Sequence, residues 1–374
     1  MMSSASTCHI PLVDLSLQHA EIAAEVAEGI ERVISTGAFV LGPDVTEFER
    51  EFAEYCGVAH CVGVANGTDA IELALRAIGV GPSDEVIIPA NTFAATAGGV
   101  VRAGATPALV DCDPRYLLID AQQIEARITS KTKAIIPVHL YGQLAPMPEL
   151  LEIAQRYGLR VVEDGAQSQG ADRDGRRSGA WGDLAATSFY PGKNLGAYGD
   201  GGAVLTDDSR LAGAVQRLRN HGGTAKYQHD QVGFNSRLDT MQAAFLRAKL
   251  RRLDKWNDLR REAAERYDDL LAGVPGVTRP AVSAGNLHVW HLYVVRVPRR
   301  DEVLARLNDG DVSAGIHYPV PIHLLGAYVH LGSGPGTFPN AERLAGEILS
   351  LPIYPGITPV QQERVVEHLA EALR

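Results

Sequence analysis

The sequence predicts an α/β protein, a largely parallel sheet covered by helices on both faces, with a smaller α+β domain after it. Three features say so. Short apolar runs recur at Cys61–Ala65, Val86–Ile88, Ala108–Val110, Ala134–Val138, Leu159–Val162, Ala185–Phe189 and Ala203–Leu205. Helical segments such as Asp69–Ile78 and Met147–Tyr157 separate most of them. Near Asn235 the rhythm changes to a long Ala- and Arg-rich stretch. Strands apolar on both faces and alternating with helices belong to parallel sheets, whereas a sheet with one wet face alternates polar and apolar residues.

Taken in order, the chain opens with helical spacing at Ile22, Val26, Ile30 and Val33, and again at Val45, Phe48, Phe52 and Tyr55. The strand–helix alternation follows. Leu238 to about Leu271 reads as a helical connector with Leu238, Ala243, Leu246, Leu250 and Leu253 among its apolar positions. Beyond it Trp290–Val297 alternates like a strand, Val303–Leu307 is helical, and Gln361–Leu373 is an amphipathic helix. We therefore expect a large domain over residues 1–250 and a small C-terminal domain over 251–374.

Composition narrows the function. With 45 Asp plus Glu against 35 Lys plus Arg, the formal charge is -10, and a net acidic surface repels nucleic acid. No window holds the eighteen or so uninterrupted apolar residues of a spanning helix, and the first ten residues lack the basic and apolar regions of a secretory signal. Cys8, Cys56, Cys61 and Cys112 form no CxxC pair and have no nearby histidine set. Reduced thiols in a cytoplasmic protein without a bound metal are expected.

Chemistry is sought where parallel strands end, since loops and helix N-termini meet ligands there. Asn66-Gly67-Thr68-Asp69-Ala70 lies between a strand and a helix, where glycine admits an anion and the helix dipole favours it. An ordinary helix cap would look the same. Asp164, in Glu163-Asp164-Gly165-Ala166-Gln167, follows a buried strand directly and can hold a pyridine nitrogen protonated, or be a turn residue. Lys193 sits in Ser188-Phe189-Tyr190-Pro191-Gly192-Lys193-Asn194, where an apolar strand runs into a Pro-Gly turn. Most lysines are surface charges, but a partly desolvated one loses its proton and attacks carbonyls. Asn235-Ser236-Arg237-Leu238-Asp239 reads by itself as a capping loop. A GxGxxG dinucleotide loop is missing at the first strand–helix junction, which argues against a nicotinamide oxidoreductase.

Together the four motifs resemble the DegT/StrS-type nucleotide-sugar aminotransferases, a branch of the fold-type I pyridoxal-phosphate (PLP) enzymes, from Ile10-Pro11 to Ser350-Leu351-Pro352-Ile353. The resemblance implies a mostly parallel seven-stranded sheet and PLP as cofactor. It makes Lys193 the Schiff-base lysine, Asp164 the partner of the pyridine nitrogen and Gln167 a neighbour of the phenolic oxygen. Gly67, Thr68 and Ser188 match the phosphate cradle, and Phe93, in Asn91-Thr92-Phe93-Ala94-Ala95-Thr96, the aromatic that stacks on the ring. Asn235 matches a residue that reaches the neighbouring subunit's phosphate, which implies a homodimer with shared sites. Tyr190, Lys226, Tyr227, His317, Tyr318 and His323 align with positions facing the sugar nucleotide. Gln169 stands where the family commonly has histidine and Gly165 where it has alanine, which bears on regiochemistry and not on PLP chemistry. A dehydrating sister group has histidine in place of the lysine, so Lys193 argues for amino transfer. The expected reaction moves nitrogen from L-glutamate to the 3- or 4-keto carbon of a nucleotide-linked sugar. The alternatives are a keto-cyclitol substrate or a non-catalytic regulator on the same fold.

Overall fold

In the computed structural model residues 9–225 and 227–374 are described. Cys8 and Lys226 lie outside the described residues. Two helices open the chain, α1 (Ser16–Thr36) and α2 (Pro43–Cys56). The apolar spacing read from the sequence becomes their inner faces, with Ile22, Val26 and Val33 buried on α1 and Val45, Phe48 and Phe52 on α2. Each helix stops at a left-handed glycine, Gly37 (φ 65°) and Gly57 (φ 76°), a backbone that other residues adopt with strain.

The strand–helix alternation then unfolds as β1 (His60–Val64), α3 (Gly67–Ala77), β2 (Glu85–Pro89), α4 (Ala94–Arg102), β3 (Thr106–Val110), α5 (Ile124–Arg127), β4 (Thr132–Ile135), α6 (Met147–Tyr157) and β5 (Arg160–Asp164). A hairpin of β6 (Asp172–Arg173) and β7 (Arg176–Arg177) precedes β8 (Leu184–Ser188), β9 (Gly202–Thr206) and α7 (Ser209–Arg219). Seven of these strands form one sheet in the order β1-β9-β8-β5-β4-β2-β3. Only β9 runs antiparallel to its neighbours; the other pairings are parallel. Six strands therefore end at one edge, and the loops gathered there are the ones able to meet a ligand. All seven apolar runs are strands of this sheet. Helix α6 shows why the helices cover it: Met147, Leu150 and Ile153 are buried, each contributing roughly 2 kcal/mol by leaving water.

The rest of the chain comprises β10 (Gly223–Ala225), β11 (Gln228–His229), α8 (Thr240–Leu250), α9 (Leu253–Leu271), β12 (Asn286–Leu287), β13 (Tyr293–Arg296), α10 (Arg300–Asp309), α11 (Pro339–Glu347), β14 (Ile348–Leu351) and α12 (Pro359–Ala372). The single connector expected from Leu238 to Leu271 is two helices broken at Arg251-Arg252. Both arginines bond Glu25 of α1, Arg251 on one carboxylate oxygen and Arg252 on both. A second core gathers Ala263, Tyr267 and Leu271 of α9 with Tyr293, Val295, Leu349, Leu351, Val365 and Leu369. Ile10 joins it too: the segment before α1 pairs with Val312, and the Leu12 carbonyl accepts from the Ile353 amide at 3.3 Å. Strand β13 starts later than the sequence suggests because Trp290 takes a positive φ of 46°, which no strand accommodates. Among the described residues no helix is long and apolar enough to cross a membrane.

Candidate active site

A cavity of about 730 Å³ opens at the sheet edge where the six strands end. Ten of the residues singled out in the sequence line it: Gly67, Thr68, Phe93, Asp164, Gln167, Ser188, Tyr190, Lys193, His317 and Tyr318.

Strand β1 runs into Asn66, whose side-chain oxygen caps α3 by accepting from the Asp69 amide at 2.8 Å. Gly67 and Thr68 thus form the first turn of α3, with backbone donors and the positive end of its dipole at the cavity. Space there is reserved. A Cβ on Gly67 would lie 2.6 Å from that of Ser188, and one on Gly202 would lie 2.5 Å from the Asn66 carbonyl. The crossing of β1, β8 and β9 therefore brings main chain to a distance only glycine permits.

Asp164 is the last residue of β5. Its Oδ2 accepts from the Thr96 hydroxyl at 2.7 Å and its Oδ1 from the Ala166 amide at 3.2 Å. Three residues after Asp164, Gln167 accepts from the Tyr141 amide at 2.6 Å and donates to the Tyr318 hydroxyl at 3.0 Å. Tyr318 keeps its own proton to donate. Phe93, the N-cap of α4, is half-exposed into the cavity with its ring 4.9 Å from that of Tyr318.

Lys193 follows β8 in a turn closed by its amide on the Tyr190 carbonyl at 2.8 Å. Burial lowers its amine to about 8, against the opposing pull of the Asp164 charge. At pH 7 roughly one such amine in ten is neutral, against about one in three thousand for an ordinary lysine. Capture of an aldehyde by the apoprotein should thus quicken about tenfold from pH 7 to 9 and then level off, measured by absorbance. A rate still climbing nearly tenfold per pH unit at pH 9 would mean an unperturbed lysine.

Beside it, His317 binds the Ser350 hydroxyl at 2.8 Å through Nδ1. Burial, and then the charge of Lys193, push His317 down to about 4, so it faces ligands as neutral imidazole. His291 also lines the cavity, with Nδ1 3.0 Å from Asn194 Oδ1. The Asn194 amide nitrogen donates to Asn257 and to the Val289 carbonyl, so its oxygen is the acceptor and His291 carries the proton on Nδ1.

Three anticipated residues are placed elsewhere. His323 is buried away from the cavity, bound to Glu342 at 2.9 Å and edge-on to Phe338; its nearness in sequence to Tyr318 is undone by the turn at Pro321. Asn235 is exposed and bridged to Asn220, and Tyr227 is 85% exposed. Neither lines this cavity. Lys226 lies outside the described residues. Sequence reasoning missed Leu12, Val13, Thr92, Thr96, Arg102, Asp200 and His291, all in the lining. Only Thr92 and Thr96 left a signal, as the flanks of Phe93.

A glycine-made space at a helix N-terminus, an exposed aromatic face, a strand-end carboxylate and a partly neutral lysine fit the phosphate, ring, ring nitrogen and aldehyde of pyridoxal phosphate. The comparisons agree. The DegT/DnrJ/EryC1/StrS aminotransferase family model matches residues 20–370. The chain is 46% identical to the Streptomyces venezuelae dTDP-3-amino-3,4,6-trideoxy-alpha-D-glucose transaminase over 371 residues, 99% of this chain and 98% of the relative. It superposes with TM-score 0.96 on S. venezuelae DesV solved in complex with a ketimine intermediate, at 46% identity and with 98% and 100% of the two chains covered. The Bacillus subtilis ntda structure, with bound cofactor pmp, gives TM-score 0.92 at 32% identity, covering 99% of this chain and 86% of that one. The chain belongs to the DegT/DnrJ/EryC1/StrS aminotransferase family, and it is a transaminase that uses pyridoxal 5′-phosphate.

Proposed function

We propose that this enzyme moves the amino group of L-glutamate to the 3-keto carbon of a dTDP-linked deoxysugar, with Lys193 as its catalytic base. The observation that carries this is Lys193 and Asp164 in one cavity, the lysine partly neutral. The 3-position and the nucleotide rest on the names of the relatives.

Bound pyridoxal phosphate supplies an aldehyde that takes up the amino group and a ring that stores an electron pair. Thr68, Ser188 and the first amides of α3 would hold its phosphate. Asp164 would partner the ring nitrogen, Phe93 would offer its aromatic face to the ring, and Gln167 would be the partner for the phenolic oxygen. Lys193 Nζ would take the proton from the donor's α-carbon and hold it for return; the same base would serve the opposite transfers when nitrogen goes to the sugar. Tyr190, His317 and Tyr318 line the sugar's approach.

Exposed Asn235 and Tyr227 suit a homodimer in which one subunit's β10–β11 hairpin completes the other's site. The free, buried thiols of Cys56, Cys61 and Cys112 fit a reducing cytosol.

L-Glutamate alone should bleach the cofactor's visible band and release one 2-oxoglutarate per site. A 3-keto dTDP-sugar should then restore the band and yield a 3-amino product by NMR. Restoration by a 4-keto sugar or a free inosose only would move the substrate elsewhere, and absence of 2-oxoglutarate would overturn amino transfer from glutamate.

A further inference from the structure

The Asp164 carboxylate is aimed by two threonines that no role above uses. Thr96 donates its one hydroxyl proton to Asp164 Oδ2 at 2.7 Å. In its 2.8 Å contact with Thr92 it must therefore accept, and Thr92 must donate. Thr92 and Thr96 are 2% and 0% exposed, and both line the cavity. Their hydroxyl dipoles point the same way, toward the carboxylate, and hydrogen bonds in series strengthen one another in a dry site. The backbone fixes this direction. Thr96 lies in the first turn of α4, with its amide on the Phe93 carbonyl at 3.1 Å, while Asp164 is held by its own amide on the Pro137 carbonyl at 2.9 Å. One helical turn thus carries both the aromatic that faces the cavity and the hydroxyl that grips the strand-end acid.

We propose that Thr96, backed by Thr92, is a positioning residue that aims the Asp164 carboxylate at the ring nitrogen of the cofactor. This rests on the assignment of Asp164 above. With Oδ2 tied by Thr96 and Oδ1 by Ala166, the carboxyl plane has one setting, and its remaining lone pairs face the cavity. Valine has the size of threonine without the donor, so Thr96→Val frees the carboxylate to rotate and leaves the wall's shape intact.

The test reconstitutes wild type, Thr96→Val, Thr96→Ser, Thr92→Val and Asp164→Asn with cofactor labelled with ¹⁵N in the ring. Thr96→Val should lower kcat about ten- to a hundredfold, as loss of a partner behind a functional ligand does, with KM for both substrates within about twofold. It should also move the ring ¹⁵N shift toward that of Asp164→Asn. Thr96→Ser should restore both, and Thr92→Val should show a smaller change of the same sign. Normal kcat and an unmoved ¹⁵N shift in Thr96→Val, with Asp164→Asn impaired, would overturn the role of Thr96 and leave that of Asp164 standing. An unimpaired Asp164→Asn would instead remove the Asp164 assignment, and this proposal with it. If Thr96→Val does not fold, Thr92→Val decides: an unmoved ¹⁵N shift there counts against the relay.

Discussion

Lys193→Ala should lower turnover by at least about a thousandfold, the usual cost of losing a positioned proton carrier that is also the covalent anchor, while the protein still folds. Folding should survive because the lysine belongs to the cavity wall and makes no ion pair among the described residues. Losing an amine that burial has already pushed down to about 8 also removes a desolvated charge. Borohydride treatment of the wild-type holoprotein should fix the cofactor's mass on the peptide containing Lys193, and a small primary amine should restore part of the proton transfer in the variant. Lys249 is the competitor to exclude, since burial brings it to about 8 as well. Its Nζ is already committed, 2.6 Å from the Gly196 carbonyl and over the Tyr198 ring. It serves the loop that follows Lys193 without entering the cavity. A label on Lys249, or full turnover without Lys193, would sink the mechanism.

The second large effect concerns Glu163, whose loss should cost about 3–5 kcal/mol of stability on replacement by alanine. This side chain points to the opposite face of β5 from Asp164 and is wholly buried. It accepts from the His139 ring at 2.8 Å and from the amides of Gly179 (2.9 Å), Trp181 (2.7 Å) and Gly182 (2.8 Å). His139 in turn accepts from the Ala145 amide at 3.1 Å through Nδ1, so its proton lies on Nε2, toward the carboxylate. Removing the acceptor strands four donors, of which the His139 ring and the Gly179 amide are buried. Burial alone would raise the Glu163 carboxyl; the His139 hydrogen bond, then the amides of Gly182 and Gly179, outweigh it and hold the group below its ordinary value. A carboxyl depressed in the folded state lends stability above its unfolded pKa and withdraws it as pH falls through the folded one. The gap between wild type and Glu163→Ala should accordingly narrow on acidification. Urea unfolding of the apoproteins at neutral and acid pH checks this, and a difference under about 1 kcal/mol at neutral pH would contradict it.

What could be read from the chain and what could not divide along a physical line. Asp164 and Lys193 were visible because each lies just past an apolar run, Asp164 at the strand's end and Lys193 after a Pro-Gly turn, and a strand end in a parallel sheet is where a side chain meets a ligand. The seven strands were visible because burial on both faces leaves uninterrupted apolar residues. The Glu163 anchor was not, since His139 and the amides of Gly179–Gly182 are joined to it only by folding. His291 and Leu12 reach the lining from segments anchored in the second core through Trp290 and Ile10, which no local pattern announces. His323 misled for the opposite reason, as a polar ring close in sequence to Tyr318 that Glu342 satisfies elsewhere. The break between α8 and α9 carries neither glycine nor proline at Arg251-Arg252, and the partner of those arginines, Glu25, is over two hundred residues earlier.

The seat of Leu12 has a consequence for the order in which the pocket is made. Leu12 and Val13 line the cavity, yet the segment they belong to is held by Asp311, Ser313 and Ile353. A nascent chain emerging from the ribosome therefore makes one wall of its own catalytic chamber long before the scaffold for that wall. Until translation has passed Ile353 the chamber stands open on that side, however complete the central sheet may be.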